Sequence, residues 1–63
     1  SILMYQNLPN DPVMLLSFTN TQLRDFFKDL DSFCDHFQIE RSILEEKLKS
    51  VDYEYDAHTN QFV

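Results

Sequence analysis

Asp52-Tyr53-Glu54-Tyr55-Asp56-Ala57-His58-Thr59-Asn60-Gln61-Phe62-Val63 is the stretch on which the fold class turns. From Asp52 to Asp56 acidic and aromatic side chains alternate, a period of two that belongs to a strand with one wet face and one packed face. Ala57 to Asn60 supplies a turn, with Asn60 tolerant of a positive φ, and Gln61 to Val63 reads as a short return strand. An isolated hairpin is barely stable in water, so this one must dock, with Tyr53, Tyr55 and Phe62 turned inward.

Working back along the chain, the period changes to that of a helix. Leu44, Leu48 and Val51 mark the buried stripe of a helix over about 41–50, and Leu30, Phe33, Cys34 and Phe37 that of another over about 29–37, with Asp29 as its N-cap. Gln38-Ile39-Glu40 makes a short turn between them. Further upstream, Asp11 is an N-cap and Pro12 suits the first helical position, where a missing N–H does no harm. A first helix over about 12–27 comes next, with Val13, Leu16, Asn20, Leu23 and Phe27 on one stripe and Leu15, Phe18 and Phe26 off it. Asn20 supports two readings: a break in that helix, with Thr19 or Asn20 capping a second helix that starts at Thr21, or a buried amide that fixes register between packed helices. Residues 1–9 read as an arm and 10–63 as one domain. The expected fold is therefore α+β and mainly α, three helices and a C-terminal hairpin over about 52–63. The spacing of the second and third helices is helix-turn-helix-like, or winged-helix-like. Its expected core is Leu16, Leu23, Phe27, Leu30, Cys34, Phe37, Leu44, Leu48, Tyr53 and Phe62.

Composition narrows the function. The chain has 63 residues, no glycine, one cysteine, and 11 acids against 5 bases, for a net charge of −6. So short a chain buries only about 60% of the surface its unfolded form exposes, which leaves little for both a scaffold and a shaped catalytic cavity. Aromatic residues at 14% argue against disorder. The longest unbroken apolar run, Val13 to Leu16, falls far short of the roughly 20 residues of a membrane span. Ser1-Ile2-Leu3-Met4 has neither the basic residue nor the apolar run of a secretory signal. Together with one free thiol this makes the cytoplasm the expected location. The acidic balance counts against nucleic acid as a partner.

Several groupings invite a chemical reading. Cys34 with His36 and His58 suggests a thiol catalyst or a metal site, yet Cys34 shares its face with Leu30 and Phe37, and His36 lies about 200° further round the helix. Asp29, Asp31 and Asp35 open like a calcium loop but lack the following glycine and the distal glutamate. Asp52, Glu54 and Asp56 share one face of a strand, where charge also guards an edge. The outer positions of the third helix, Arg41, Glu45, Glu46, Lys47 and Lys49, nearly cancel, which suits a DNA reader poorly. No catalytic residue, metal site or cofactor is expected, and the chain is read as non-enzymatic.

Leu8-Pro9-Asn10-Asp11-Pro12, Leu15-Leu16-Ser17, Asn20-Thr21, Leu23-Arg24-Asp25, Leu30-Asp31, Cys34, Lys47-Leu48, Tyr53-Glu54-Tyr55 and Asn60-Gln61-Phe62 form a specific string. Over about residues 8–63 it resembles a family of short bacterial proteins known only as a domain of unknown function. The resemblance implies a small bacterial intracellular protein and carries over no activity, cofactor or catalytic residue. The chain departs from the pattern at Asp52, where the family has Gly, and a positive φ there would strain the start of the hairpin.

Oligomerisation is expected from the first helix. Once one stripe is covered, Leu15, Phe18 and Phe26 need another cover, and each left in water forgoes about 1.5–3 kcal/mol. A homodimer is expected, with Leu15, Phe18, Phe26 and Asn20 at a two-fold interface; a monomer whose arm folds back is the other reading. The expected function is a non-catalytic protein–protein interaction module that self-associates. A further, unidentified protein partner is envisaged, and the acidic rim suits a basic one. The alternative is a small helix-turn-helix-like transcriptional regulator binding DNA.

Overall fold

A computed structural model describes residues 8–63. The first seven residues of the expected arm lie outside the described residues. Three helices are followed by a two-stranded antiparallel hairpin: α1 over Pro12–Asp25, α2 over Leu30–Phe37, α3 over Arg41–Lys49, β1 over Tyr55–Asp56 and β2 over Gln61–Phe62. The chain is thus mainly helical α+β.

Each boundary has a local cause. Asp11 accepts the Met14 N–H at 3.0 Å and Pro12 occupies the first turn of α1. Asp29 does the same for α2 through the Ser32 N–H at 2.8 Å. α3 starts at Glu40 without a side-chain cap. α1 runs unbroken through Asn20 and stops at Asp25, two residues earlier than its apolar pattern suggests: the Phe26 N–H still makes the helical bond to the Gln22 carbonyl, but the Phe27 N–H shares that same carbonyl instead of reaching Leu23. α2 ends on Gln38 in the left-handed region, φ 55°.

The core stripe of α1 is Leu15, Thr19 and Leu23, four residues apart, packed with Leu30, Phe33, Cys34, Leu44, Leu48 and Phe62. This is rotated from the expected stripe. Val13 is 61% exposed, and Leu16 and Phe27 are half-buried shoulders. The interface expectation is corrected accordingly. Leu15 is 1% exposed within its own chain, and Phe18 packs edge-on against Phe33 and Phe37, with centroids 6.4 and 5.5 Å away. Of that set only Phe26 faces solvent, at 71% exposure. The sequence pattern misled because it built its stripe from apolar residues and bridged the gap with Asn20, whereas α1 centres its buried face on Thr19, a hydroxyl residue.

The hairpin is joined to α3 by one sharp turn. The Asp52 and Tyr53 N–H groups bond back to the Lys49 and Leu48 carbonyls, and Asp52 takes φ 68°. Tyr55 then pairs with Phe62 and Asp56 with Gln61, and Glu54 and Val63 exchange both backbone hydrogen bonds. Phe62 is the hairpin's buried plug, with Tyr55 half-buried beside it at 5.6 Å. Tyr53, expected in the core, is 37% exposed because it still belongs to the turn, ahead of the first ladder residue.

A left-handed residue with a Cβ costs about 1 kcal/mol relative to glycine. Asp52→Gly is therefore expected to raise stability by up to about that amount. The check is a higher urea midpoint at unchanged slope, with Asp52→Asn as the control for lost charge.

Candidate functional site

The side chains that fasten the hairpin to α1 also frame the molecule's main groove. Asn20 sits on the flank of α1 next to the buried stripe. Its Oδ1 accepts the Phe62 N–H at 2.8 Å, and its Nδ2 donates to the Phe62 carbonyl at 3.1 Å. Phe62 is in the ladder position whose backbone groups point away from β1, so the amide of Asn20 pairs with β2 as a further strand would. Asn60, at φ 55°, completes the seam. Its Nδ2 donates to the Leu23 and Phe27 carbonyls at 3.2 and 3.0 Å, and its Oδ1 accepts the Tyr55 hydroxyl at 2.6 Å. One carbonyl of the last turn of α1, that of Leu23, and one just past its C-cap, that of Phe27, are satisfied in this way by a residue 37 and 33 positions away.

Beside this seam runs a groove of about 660 Å³ between α1 and the hairpin. Val13, Leu16, Ser17, Thr21 and Arg24 line the α1 side, and Tyr53, Thr59 and Gln61 the other. Arg24 holds Asp25 through two hydrogen bonds of 2.9 and 3.0 Å, which keep the Asp25 carboxyl below its ordinary range. The sequence pattern did not single out this groove. Its only signal was that Val13 and Leu16 sit about a third and a sixth of a turn round from the centre of the Leu15, Thr19 and Leu23 stripe.

The chemical groupings read from the sequence are taken apart by the structure. Cys34 is 6% exposed, and burial pushes its thiol up to about 11, the opposite of nucleophile activation. His36 instead packs tilted against Phe27 and edge-to-face with Phe37, at 5.3 and 4.8 Å. His58 stands in the hairpin turn, its N–H bonded to Asp56 Oδ1. Asp29 caps α2, and the Ser32 backbone bond holds its carboxyl below the usual range. Asp31 pairs with Arg41 at 3.0 Å, and Arg41 also reaches Glu45 at 2.9 Å and lies over the Tyr55 ring at 5.4 Å. Among Asp52, Glu54 and Asp56, Glu54 pairs with Lys49 at 3.0 Å and Asp56 closes its own turn through His58 and Thr59. Among the described residues no group of His, Cys, Asp or Glu could hold a metal ion. None of the described helices is long and apolar enough to cross a membrane.

Fold and site together define a small, mainly helical domain whose C-terminal hairpin is clamped to its first helix by two asparagines, with an open groove alongside. Residues 9–62 match the domain of unknown function DUF4250, and the chain belongs to that family. No curated protein and no solved structure matches it.

Two outcomes test the roles of Asn20 and Cys34. Asn20→Ala strips both backbone partners from Phe62 and is expected to cost about 2 kcal/mol, since half-buried groups are left unpaired. Amide exchange should then accelerate more at Phe62 and Val63 than in α2. Cys34 has a folded pKa above its ordinary 9.0, so its contribution to stability is complete below pH 9 and is lost as pH rises through 9 towards 11. Urea midpoints should fall over that range, and fall less in Cys34→Ala.

Proposed function

We propose that this domain is a non-catalytic protein-interaction module of the bacterial cytoplasm, and that its working surface is the α1–hairpin groove. The observation that carries the reading is that exposed Val13 and Tyr53, outside the core cluster, line one concave surface with Leu16, which packs on the core with one side and stays half-exposed on the other. Exposed apolar side chains grouped in a concavity are a feature of docking sites. The free, buried thiol of Cys34 is consistent with a reducing compartment. The resemblance to short bacterial proteins supports a bacterial source.

Self-association through α1 rests on less surface than the sequence pattern offered. With Leu15 and Phe18 covered by their own chain, Val13, Met14 and Phe26 are what α1 and its C-cap leave exposed for a twin. The DNA-binding alternative has little basic surface to draw on. On α3, Arg41 is engaged by Asp31 and Glu45, and Lys49 by Glu54.

The test places a photo-reactive side chain at Val13 in one variant and at Glu46, on α3, in another, and irradiates cells producing each. Discrete protein adducts are expected from Val13, and they should disappear when Leu16→Asp is added. Equal adducts from both positions, or none from Val13, would sink the reading. Saturable binding of mixed duplexes at low salt would move it to the DNA alternative.

A further inference from the structure

The groove differs in charge from the rest of this acidic molecule. None of its lining residues carries a carboxylate, and its one ionised side chain is the guanidinium of Arg24. The other concavities described are acidic: one contains Asp31, Asp35 and Glu40, another Asp52, Glu54 and Asp56, a third Glu45 and Glu54. In a chain of net charge −6, this groove is, among the concavities described, the one with no carboxylate in its lining, and the acid that meets its guanidinium is Asp25, outside that lining.

Its shape and remaining polar groups suit a length of polypeptide. From Val13 to Arg24 the groove runs along α1 for roughly 16 Å at about 1.5 Å per residue, the span of about five extended residues at roughly 3.3 Å each. Ser17 and Thr21, on successive turns of α1, and Gln61 opposite are exposed, so their polar groups meet solvent and remain available to a peptide backbone. Val13, Leu16 and the Tyr53 ring offer apolar contact at one end, and Arg24 the charged contact at the other. Among the described residues Arg24 is held by its neighbour Asp25 alone, in a pair whose side chains are both well exposed. Such pairs contribute little and exchange readily, so a partner carboxylate can take the place of Asp25 in the same two-pronged geometry.

Resting on the interaction-module reading, we infer that the α1–hairpin groove docks an extended acidic peptide segment of a partner protein, with a Glu or Asp carboxylate on Arg24 and an apolar side chain against Val13, Leu16 and Tyr53.

The probe is the blocked pentapeptide acetyl-Leu-Glu-Leu-Glu-Leu-amide, titrated into the uniformly ¹⁵N-labelled full chain at near-physiological salt. Its Gln-for-Glu and Lys-for-Glu counterparts serve as comparators. Saturable amide shifts are expected at Ser17, Thr21, Arg24, Tyr53 and Gln61 with the Glu peptide. They should weaken at least tenfold with the Gln peptide and in Arg24→Gln, a surface change whose folding is verified from its own spectrum. Groove shifts that survive Arg24→Gln, or that the Lys peptide produces equally well, would overturn the proposal, as would no shift at millimolar peptide. Saturable shifts confined to the Phe26 or Ile43 surfaces would overturn it too, while leaving the wider interaction reading intact.

Discussion

The amide of Asn20 against the backbone of Phe62 is the contact on which the arrangement depends. A two-stranded hairpin with a two-residue ladder cannot hold itself together in water. It persists here because one strand has a second partner that is not a strand. That pairing seats Phe62 among Leu15, Leu23 and Leu48, and so supplies the third side of a core that three short helices leave open. Asn60 then ties the turn to the end of α1, and the groove exists because these two polar fastenings hold the hairpin beside the helix rather than over it.

Much of this architecture could be read from side-chain periodicity. The switch from helical spacing to alternation after Val51 located the hairpin, and the caps at Asp11 and Asp29 located two helix starts, because capping is local chemistry between a side chain and a backbone three residues on. What could not be read was the rotation of α1. Val13, Leu16, Leu23 and Phe27 make as good a stripe as any until tertiary packing chooses another, and packing chose one that includes Thr19. The same shift placed Leu15 and Phe18 inside and so removed most of the argument for a dimer. Asn20 was visible as an anomaly in an apolar pattern. Its partner was not, since that partner is backbone 42 residues away and any residue at position 62 carries the same N–H and C=O. The groove was hidden for the same reason: its walls come from two ends of the chain.

Charge is also distributed in a way that composition conceals. Two of the five bases tie separate elements together, Arg41 through Asp31 and Lys49 through Glu54, whereas Arg24 pairs with its own sequence neighbour Asp25. Arg41 links α2, α3 and the hairpin through Asp31, Glu45 and the face of Tyr55. The spacing of α2 and α3 that suggested a helix-turn-helix therefore comes with a surface on which cations knit the fold together. A spacing of helices is a property of the scaffold, and what it recognises depends on which charges the scaffold leaves unengaged.

The hydroxyl of Thr19 lies fully buried at the centre of α1's packed face, and among the described residues it has no hydrogen-bond partner. A methyl group of the same shape would sit there at lower free energy. For so small a domain, a single unsatisfied donor is a sizeable fraction of the whole margin between folded and unfolded chain. The native state is thus held below the ceiling its backbone would permit, and the place where it is held back is the helix turn that bears directly on both the hairpin seam and the aromatic layer of α2.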